Sequence, residues 1–371
     1  MPVADPDFPG ILQHFELNGH FDGAEPLGSG HINDTWLIRI NHFDSRKRYV
    51  LQRINDRVFR DPLAVMENID RVTRHIQGLP AARFSGQILG QHSFAPIRTR
   101  GGDPCSQDDA GRTWRLWPYV YGASTINNVQ SAAQAREAAK AFGVFQCLLQ
   151  DLPGPPLKET IPDFHDTVAR FVQFRAALDA DRHDRARHCQ AEIEAALSYE
   201  PFVTSFCSLA NADVLPVRIA HNDTKINNVM LSDETGEAVC VIDLDTVMPG
   251  LALFDFGDMV RTMTVSARED EVDFSDVVMR MDYYEAVTDG YLDAAGAFLS
   301  QNEIRNLPDA AKIITFENGL RFLTDHLDGD QYFRTSRENQ NLDRCRTQFA
   351  LVRSIDEQLD AMRSITAKLA S

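Results

Sequence analysis

No two of the six cysteines (Cys105, Cys147, Cys189, Cys207, Cys240 and Cys345) stand in a C-x-x-C pair. A thiolate zinc site is therefore not expected. A disulfide framework is not expected either in a chain of 371 residues. No run approaches the roughly 18 apolar residues of a membrane-spanning helix, so no membrane partner is expected. Basic residues are outnumbered, 37 Lys and Arg against 54 Asp and Glu, for a net charge of −17. Nucleic acid, whose phosphates call for a basic surface, is disfavoured as a partner. So is an anionic membrane surface. Residues 1–7 contain neither a basic nor an apolar stretch; no ordinary secretory signal is expected, and the expected location is cytoplasmic. The chain shows no internal repeat and no low-complexity tract.

What is present is an ordinary globular composition, 43% apolar and 25% charged, long enough for two lobes. The first 120 residues read as β-rich. Residues 35–40 and 48–54 have strand character and are joined by a polar segment. Ahead of them stands Gly28-Ser29-Gly30, whose glycines would let the backbone approach phosphates. Alone it is equally an ordinary turn. Its place before two strands makes Gly28, Ser29 and Gly30 candidates for a nucleotide loop. The second strand lacks the lysine that protein kinases carry there; Gln52 or Arg53 occupies the place, and alternation lets only one face inward. Arg53 would find a partner in Glu67 on a helix over 63–76, unless both are surface charges. The run from Trp114 to Gly122 reads as a strand ending in a hinge at 117–122. Trp117 and Tyr119 are there to flank an adenine or, equally, to fill a lobe interface.

From Ser131 the pattern turns helical, with Ala138, Phe142, Phe145 and Leu149 on one face. Helices are expected over 164–178, 186–197, 256–266 and 274–295. A short one over 302–307 should be stopped by Pro308. Helices over 310–327 and 339–369 should follow. The expectation is an α+β chain, with a small β-rich lobe at 1–118 and a larger, mostly helical lobe at 123–371.

The chemistry concentrates in His221-Asn222-Asp223-Thr224-Lys225-Ile226-Asn227-Asn228, followed by Asp243 and Asp245. Asp223 can orient an alcohol and take its proton. Asn228 and Asp243 can hold Mg2+, and Lys225 can neutralise a transferring phosphate. His221 two residues before Asp223 and Asn228 five after it match the spacing of the protein-kinase catalytic loop. Residues 229–242 read as a β-hairpin whose alternation would put Asp243 and Asp245 on one face. Magnesium suits a few carboxylates plus phosphates and water; Asp245 would serve a second metal or the acceptor. A solvated Asp-rich turn is the competing explanation, and the whole string with its hairpin outweighs it.

The stretch from His221 to Leu231 and the later "CVIDLDTVMPGLALFDFGD" resemble the catalytic loop and metal strand of the aminoglycoside phosphotransferase and choline kinase superfamily. "YVLQRIN", "VMENI", "IPDFHDT" and "LRFLTDHLDGDQYF" resemble the N-acetylhexosamine 1-kinases within it. The resemblance implies a protein-kinase-like two-lobed fold and transfer from ATP, with Mg2+, to the anomeric hydroxyl of a sugar. It also assigns Asp255 of the Asp255-Phe256-Gly257 triplet to bracing the catalytic loop, leaving the metal to Asp243.

The segment around Gly329 is crowded with polar groups. Arg321 and Asp325, four apart, should share a helix face as a surface pair or as a clamp for hydroxyls. By resemblance Arg321 and Tyr332 would contact the sugar. The alternatives are an amino alcohol, homoserine or aminoglycoside as acceptor, or a nucleotide-binding scaffold without turnover. His165, His183 and His188 form no metal pattern and read as structural or solvated.

Overall fold

The computed structural model describes residues 6–27, 32–42, 45–80, 83, 90, 93–212 and 214–371. The N-terminal region is built on a five-stranded antiparallel sheet. Its strands are β1 (His20–Pro26), β2 (Asp34–His42), β3 (Ser45–Arg53), β4 (Ser106–Gln107) and β5 (Thr113–Pro118), ordered β1-β2-β3-β5-β4. Alternation along the strands makes two different faces. Ile38, Ile40, Leu51, Trp114 and Leu116 close over helix α1 (Phe8–Leu12) and Phe15 as a small core. Thr35, Gln52, Arg115 and Trp117 point the other way. Helix α2 (Pro62–Gly78) starts at Asp61, whose carboxylate caps the Ala64 amide, with Pro62 in the first turn. Its Val65, Ile69, Val72 and Ile76 recur at helical spacing and are fully buried in the larger core.

The remainder is mostly helical: α3 (Ala132–Leu149), α4 (Thr167–Ala180), α5 (Gln190–Ser198), α6 (Glu200–Asn211), α7 (Ala252–Met263), α8 (Met281–Ala295), α9 (Gln301–Leu327) and α10 (Gln340–Leu369). Ala138, Phe142, Phe145 and Leu149 line the buried face of α3 as their spacing predicts. Two expectations fail. The helix expected from residue 274 is a 3₁₀ turn at Phe274–Asp276, and α8 begins only at Met281. Pro308 does not end a helix but lies inside α9. It costs α9 one backbone donor. The reciprocal Ser300–Glu303 capping box starts the helix, and Leu307, Ala310, Ala311 and Ile314 are wholly buried around the proline; tertiary packing overrides the local break.

Two small ladders complete the strands. One joins β6 (Ala123–Ser124), β8 (Val229–Ser232) and β9 (Ala238–Val241); the other pairs β7 (Val217–Ala220) with β10 (Met248–Leu251). Among the described residues no helix is long and apolar enough to cross a membrane.

Candidate active site

The two ladders string two loops side by side. Ala220 lies opposite Met248 and Val229 opposite Val241, so loops 221–228 and 242–247 run between the same supports. The first loop turns sharply at Asn222, whose φ of +64° is left-handed, a region Asn enters more readily than most residues. Asp255, in the first turn of α7, holds it there. Its carboxylate accepts the amides of His221 at 2.8 Å and Asn222 at 2.7 Å, and Gln146 Nε2 at 2.6 Å. The Thr224 hydroxyl donates to the Asp255 carbonyl at 2.6 Å. The Asp-Phe-Gly triplet is thus helical, and its glycine serves packing: a Cβ on Gly257 would lie 2.4 Å from the Ala310 carbonyl oxygen of α9. His221 is fully buried. Its Nε2 donates to the Ile242 carbonyl at 3.0 Å and its Nδ1 accepts the Asp223 amide at 3.3 Å, tying both loops together.

Asp223 follows this anchored turn. Lys225 Nζ lies 2.8 Å from Asp223 Oδ1, and Asn228 Nδ2 donates to Oδ2 at 3.0 Å and to the Asp223 carbonyl at 2.8 Å. Burial works against the charged carboxylate. The charge and hydrogen bond of Lys225, with His221 and Asn228, outweigh it and hold Asp223 below the usual range. Asp223 in turn raises Lys225. The result is an ionised carboxylate beside a fixed cation.

Asp243 is not on a strand. β9 ends at Val241, Asp243 has a left-handed φ of +59°, and Leu244–Thr246 form a 3₁₀ turn. The expected alternation placing Asp243 and Asp245 on one face therefore fails, because the left-handed residue sends the two carboxylates different ways. Asp245 is buried with both oxygens taken, Oδ1 by Arg115 and Oδ2 by Asn33 Nδ2 at 2.7 Å. This corrects its place among metal or acceptor ligands. Asp243 is exposed, and its carboxylate makes no hydrogen bond among the described residues. Protein crowded around it, then the Asp245 and Asp223 carboxylates, push its pKa up to about 7 despite Arg115 and Lys225. A carboxylate so loaded with negative neighbours suits a cation. Among the described residues no three Asp, Glu, His or Cys side chains form a metal cage. Asn228 and Asp243 fit an ion that keeps phosphate oxygens and water as further ligands.

Arg321, on α9, lies 5.3 Å from the Phe164 ring, 5.8 Å from Tyr332 and 5.5 Å from Phe333, with Tyr332 itself exposed. Asp325 is not its partner. The Asp325 carboxylate accepts the amides of Gln331, Tyr332 and Phe333 at 2.9, 2.7 and 2.9 Å, and Asn341 Nδ2 at 2.9 Å. It folds the 328–333 loop back on the helix and has no oxygen left for a clamp.

A family model described as the phosphotransferase enzyme family matches residues 23–296 of the sequence. The chain belongs to the phosphotransferase enzyme family. The fold of this phosphotransferase is similar to that of an aminoglycoside phosphotransferase from Alicyclobacillus acidocaldarius (TM-score 0.59, 12% identity, 99% of this chain and 98% of that one). It is also similar to a choline kinase from Cryptosporidium parvum (TM-score 0.54, 14% identity, 98% of each). A third is a spectinomycin phosphotransferase in complex with ADP and spectinomycin (TM-score 0.51, 12% identity, 100% and 99%). At such identities the likeness carries the protein-kinase-like fold alone.

In the N-terminal region the phosphotransferase departs from several expectations. Gly28, Ser29 and Gly30 lie outside the described residues. Arg53 does not meet Glu67: its guanidinium pairs with Asp34 at the end of β2, while Glu67 pairs with Lys158. Glu67 also borders a cavity of about 660 Å³, lined by Met66, Asp70, Arg100 and Cys105 but by none of Asp223, Asn228, Asp243 or Arg321. The inward residue of β3 is Gln52, whose Oε1 accepts Arg115 Nε and Trp117 Nε1, each at 2.9 Å. Trp117 is buried and stacked on Phe94 at 4.7 Å. Tyr119 packs edge-on to Tyr121 at 4.9 Å, beneath Arg48. Arg115 and Asn33 carried no local signal for their role, because their partner Asp245 is far away in sequence. Asn68 was equally silent: it ties α2 to the second loop through the Val247 carbonyl at 3.1 Å.

Proposed function

We propose that this phosphotransferase transfers the γ-phosphoryl group of ATP to the anomeric hydroxyl of an N-acetylhexosamine, giving the sugar 1-phosphate. The observation that carries the reading is Asp223: ionised, fixed between Lys225 and Asn228, with the free carboxylate of Asp243 among its charged neighbours. Asp223 orients the acceptor hydroxyl and receives its proton. Lys225 supplies positive charge where the transferring group becomes most negative. Asn228 and Asp243 would hold magnesium, which would supply positive charge to offset the negative charge of the phosphates. Residues 1–118, with Gly28, Ser29 and Gly30, take the nucleotide, 117–122 serve as hinge, and 123–371 hold the catalytic loop and the acceptor.

The acceptor assignment is supported by Arg321 and its rings. An aromatic face with a guanidinium suits an uncharged polyol bearing an acetamido group. It opposes an amine, the more so because Arg170 lies near enough to Arg321 to have its pKa lowered, by burial first and by that neighbouring charge second. The motifs shared with N-acetylhexosamine 1-kinases point the same way.

The test is ADP release with Mg–ATP against GlcNAc, GalNAc, glucose, galactose, choline, homoserine and kanamycin, with the new phosphate located by phosphorus NMR. An anomeric phosphate on an N-acetylhexosamine is the expected result. Turnover of choline, homoserine or kanamycin alone would overturn the acceptor assignment while keeping Asp223. Nucleotide binding without turnover of any acceptor would favour the scaffold reading.

A further inference from the structure

The Asn222–Asp223 peptide is held from a second side. His165, in the segment before α4, turns Nε2 to the Asn222 carbonyl at 3.2 Å and Nδ1 to Glu317 Oε1 at 2.7 Å. Glu317 is fully buried on α9, one turn before Arg321, and its other oxygen accepts the Thr167 hydroxyl at 2.6 Å. Burial opposes a charge on Glu317. His165, then Arg321 and Thr167, outweigh it and hold the carboxyl below its usual range. Both ring nitrogens of His165 therefore face oxygen partners, and the ring spans the Asn222 carbonyl and the Glu317 carboxylate. Phe164, the next residue back, is one of the rings around Arg321.

We infer that His165 and Glu317 are positioning residues that lock the Asn222–Asp223 peptide to the helix carrying Arg321, so that the base and the acceptor pocket are held in one register. Asp255 anchors the amide side of this turn and His165 its carbonyl side. Neither His165 nor Glu317 touches the reacting atoms. The inference rests on Asp223 as the base; it does not depend on which alcohol is the acceptor.

The test uses variants that separate the two bonds of His165. Asn places its amide near the Nδ1 position and keeps the donor to Glu317. Gln reaches the Nε2 position and keeps the donor to Asn222. Glu317→Gln is isosteric, but it replaces the carboxylate that orients the ring with a neutral amide and so loosens the ring's hold on the Asn222 carbonyl. His165→Asn and Glu317→Gln should each lower kcat on the order of 100-fold, the scale of a reacting group displaced by about an ångström. KM for Mg–ATP should stay within about threefold. His165→Gln should retain at least about tenfold more turnover than His165→Asn, and the His165→Asn/Glu317→Gln double variant should lose no more than the worse single one. Amide hydrogen exchange over 221–226, which needs no turnover, should quicken in His165→Asn and Glu317→Gln and not in His165→Gln. Equal losses in the two His165 variants, unchanged kcat in His165→Asn, or unchanged exchange would overturn the inference. Kinetics are run on whichever alcohol the wild type phosphorylates, so a wrong sugar assignment would show in the wild type and leave the comparison standing.

Discussion

Arg115 of β5 and Asp245 of the second loop form an ion pair with side chains only 1% and 3% exposed, joining the N-terminal sheet to the loop that carries Asp243. Removing one member strands the other charge without water. Asp245→Asn or Arg115→Met should each destabilise the protein by about 3–5 kcal/mol. The double variant should recover part of that loss, because no unpaired charge remains. Denaturant midpoints of the three variants check this; additive losses would mean that the pairing itself is not what matters.

Asp255 and Asp243 should separate cleanly as bracing and binding groups. Asp255→Asn leaves one of two buried backbone donors unpaired, a cost of about 1–3 kcal/mol, read as a lower Tm without metal. Asp243→Ala should leave the metal-free Tm no lower and abolish the dependence of nucleotide binding on Mg2+. Calorimetric titration of ATP with and without magnesium distinguishes them.

Asp243 also sets a pH dependence. Its pKa is raised to about 7 in the folded chain from an ordinary 3.8. A raised pKa means that the fold favours the protonated form, so its stabilising effect is complete below pH 3.8 and lost as pH rises through about 7. Metal-free Asp243→Asn should therefore gain Tm relative to wild type at pH 8 and not at pH 4. Magnesium must displace that proton, so its apparent affinity should rise about tenfold per pH unit approaching pH 7 and level off above it. A flat magnesium profile over pH 5–8 would contradict the assignment.

Asp223→Asn is close in shape to the native side chain and, on the proposed mechanism, removes the proton acceptor. Turnover should fall about 10²–10⁴-fold, with nucleotide affinity within a few-fold of wild type. Near-normal kcat would remove Asp223 from the mechanism.

Arg321→Ala should raise the acceptor KM about tenfold or more and leave KM for ATP unchanged. Among the described residues the guanidinium has no carboxylate in direct contact; the fold loses its packing on Phe164, Tyr332 and Phe333 and a charge that supports the ionised Glu317. Initial-rate kinetics in both substrates decide the point.

The sequence by itself determined what depends on near neighbours. The spacing of His221, Asp223 and Asn228 is the geometry of one loop, and the hairpin of β8 and β9 follows from alternation around a polar turn. The buried stripe of α3 and the hairpin of β2 and β3 are equally local, as is a helix over most of α7, although it starts at Ala252 and not at Phe256. Tertiary structure decided what depends on which distant group arrives. Pro308 sits inside α9 because packing outweighs one missing donor. Asp325 reads as a surface partner of Arg321 or a clamp beside it until the 328–333 loop folds back onto it. Asp245 reads as a ligand for a second metal or the acceptor until Arg115 and Asn33 close on it. His165 reads as one more histidine until Glu317 and the Asn222 carbonyl meet its two nitrogens. A carboxylate or an imidazole is chemically versatile, and its role is set by the first partner that excludes water from it; for these residues that partner is brought by the fold and not by the chain on either side.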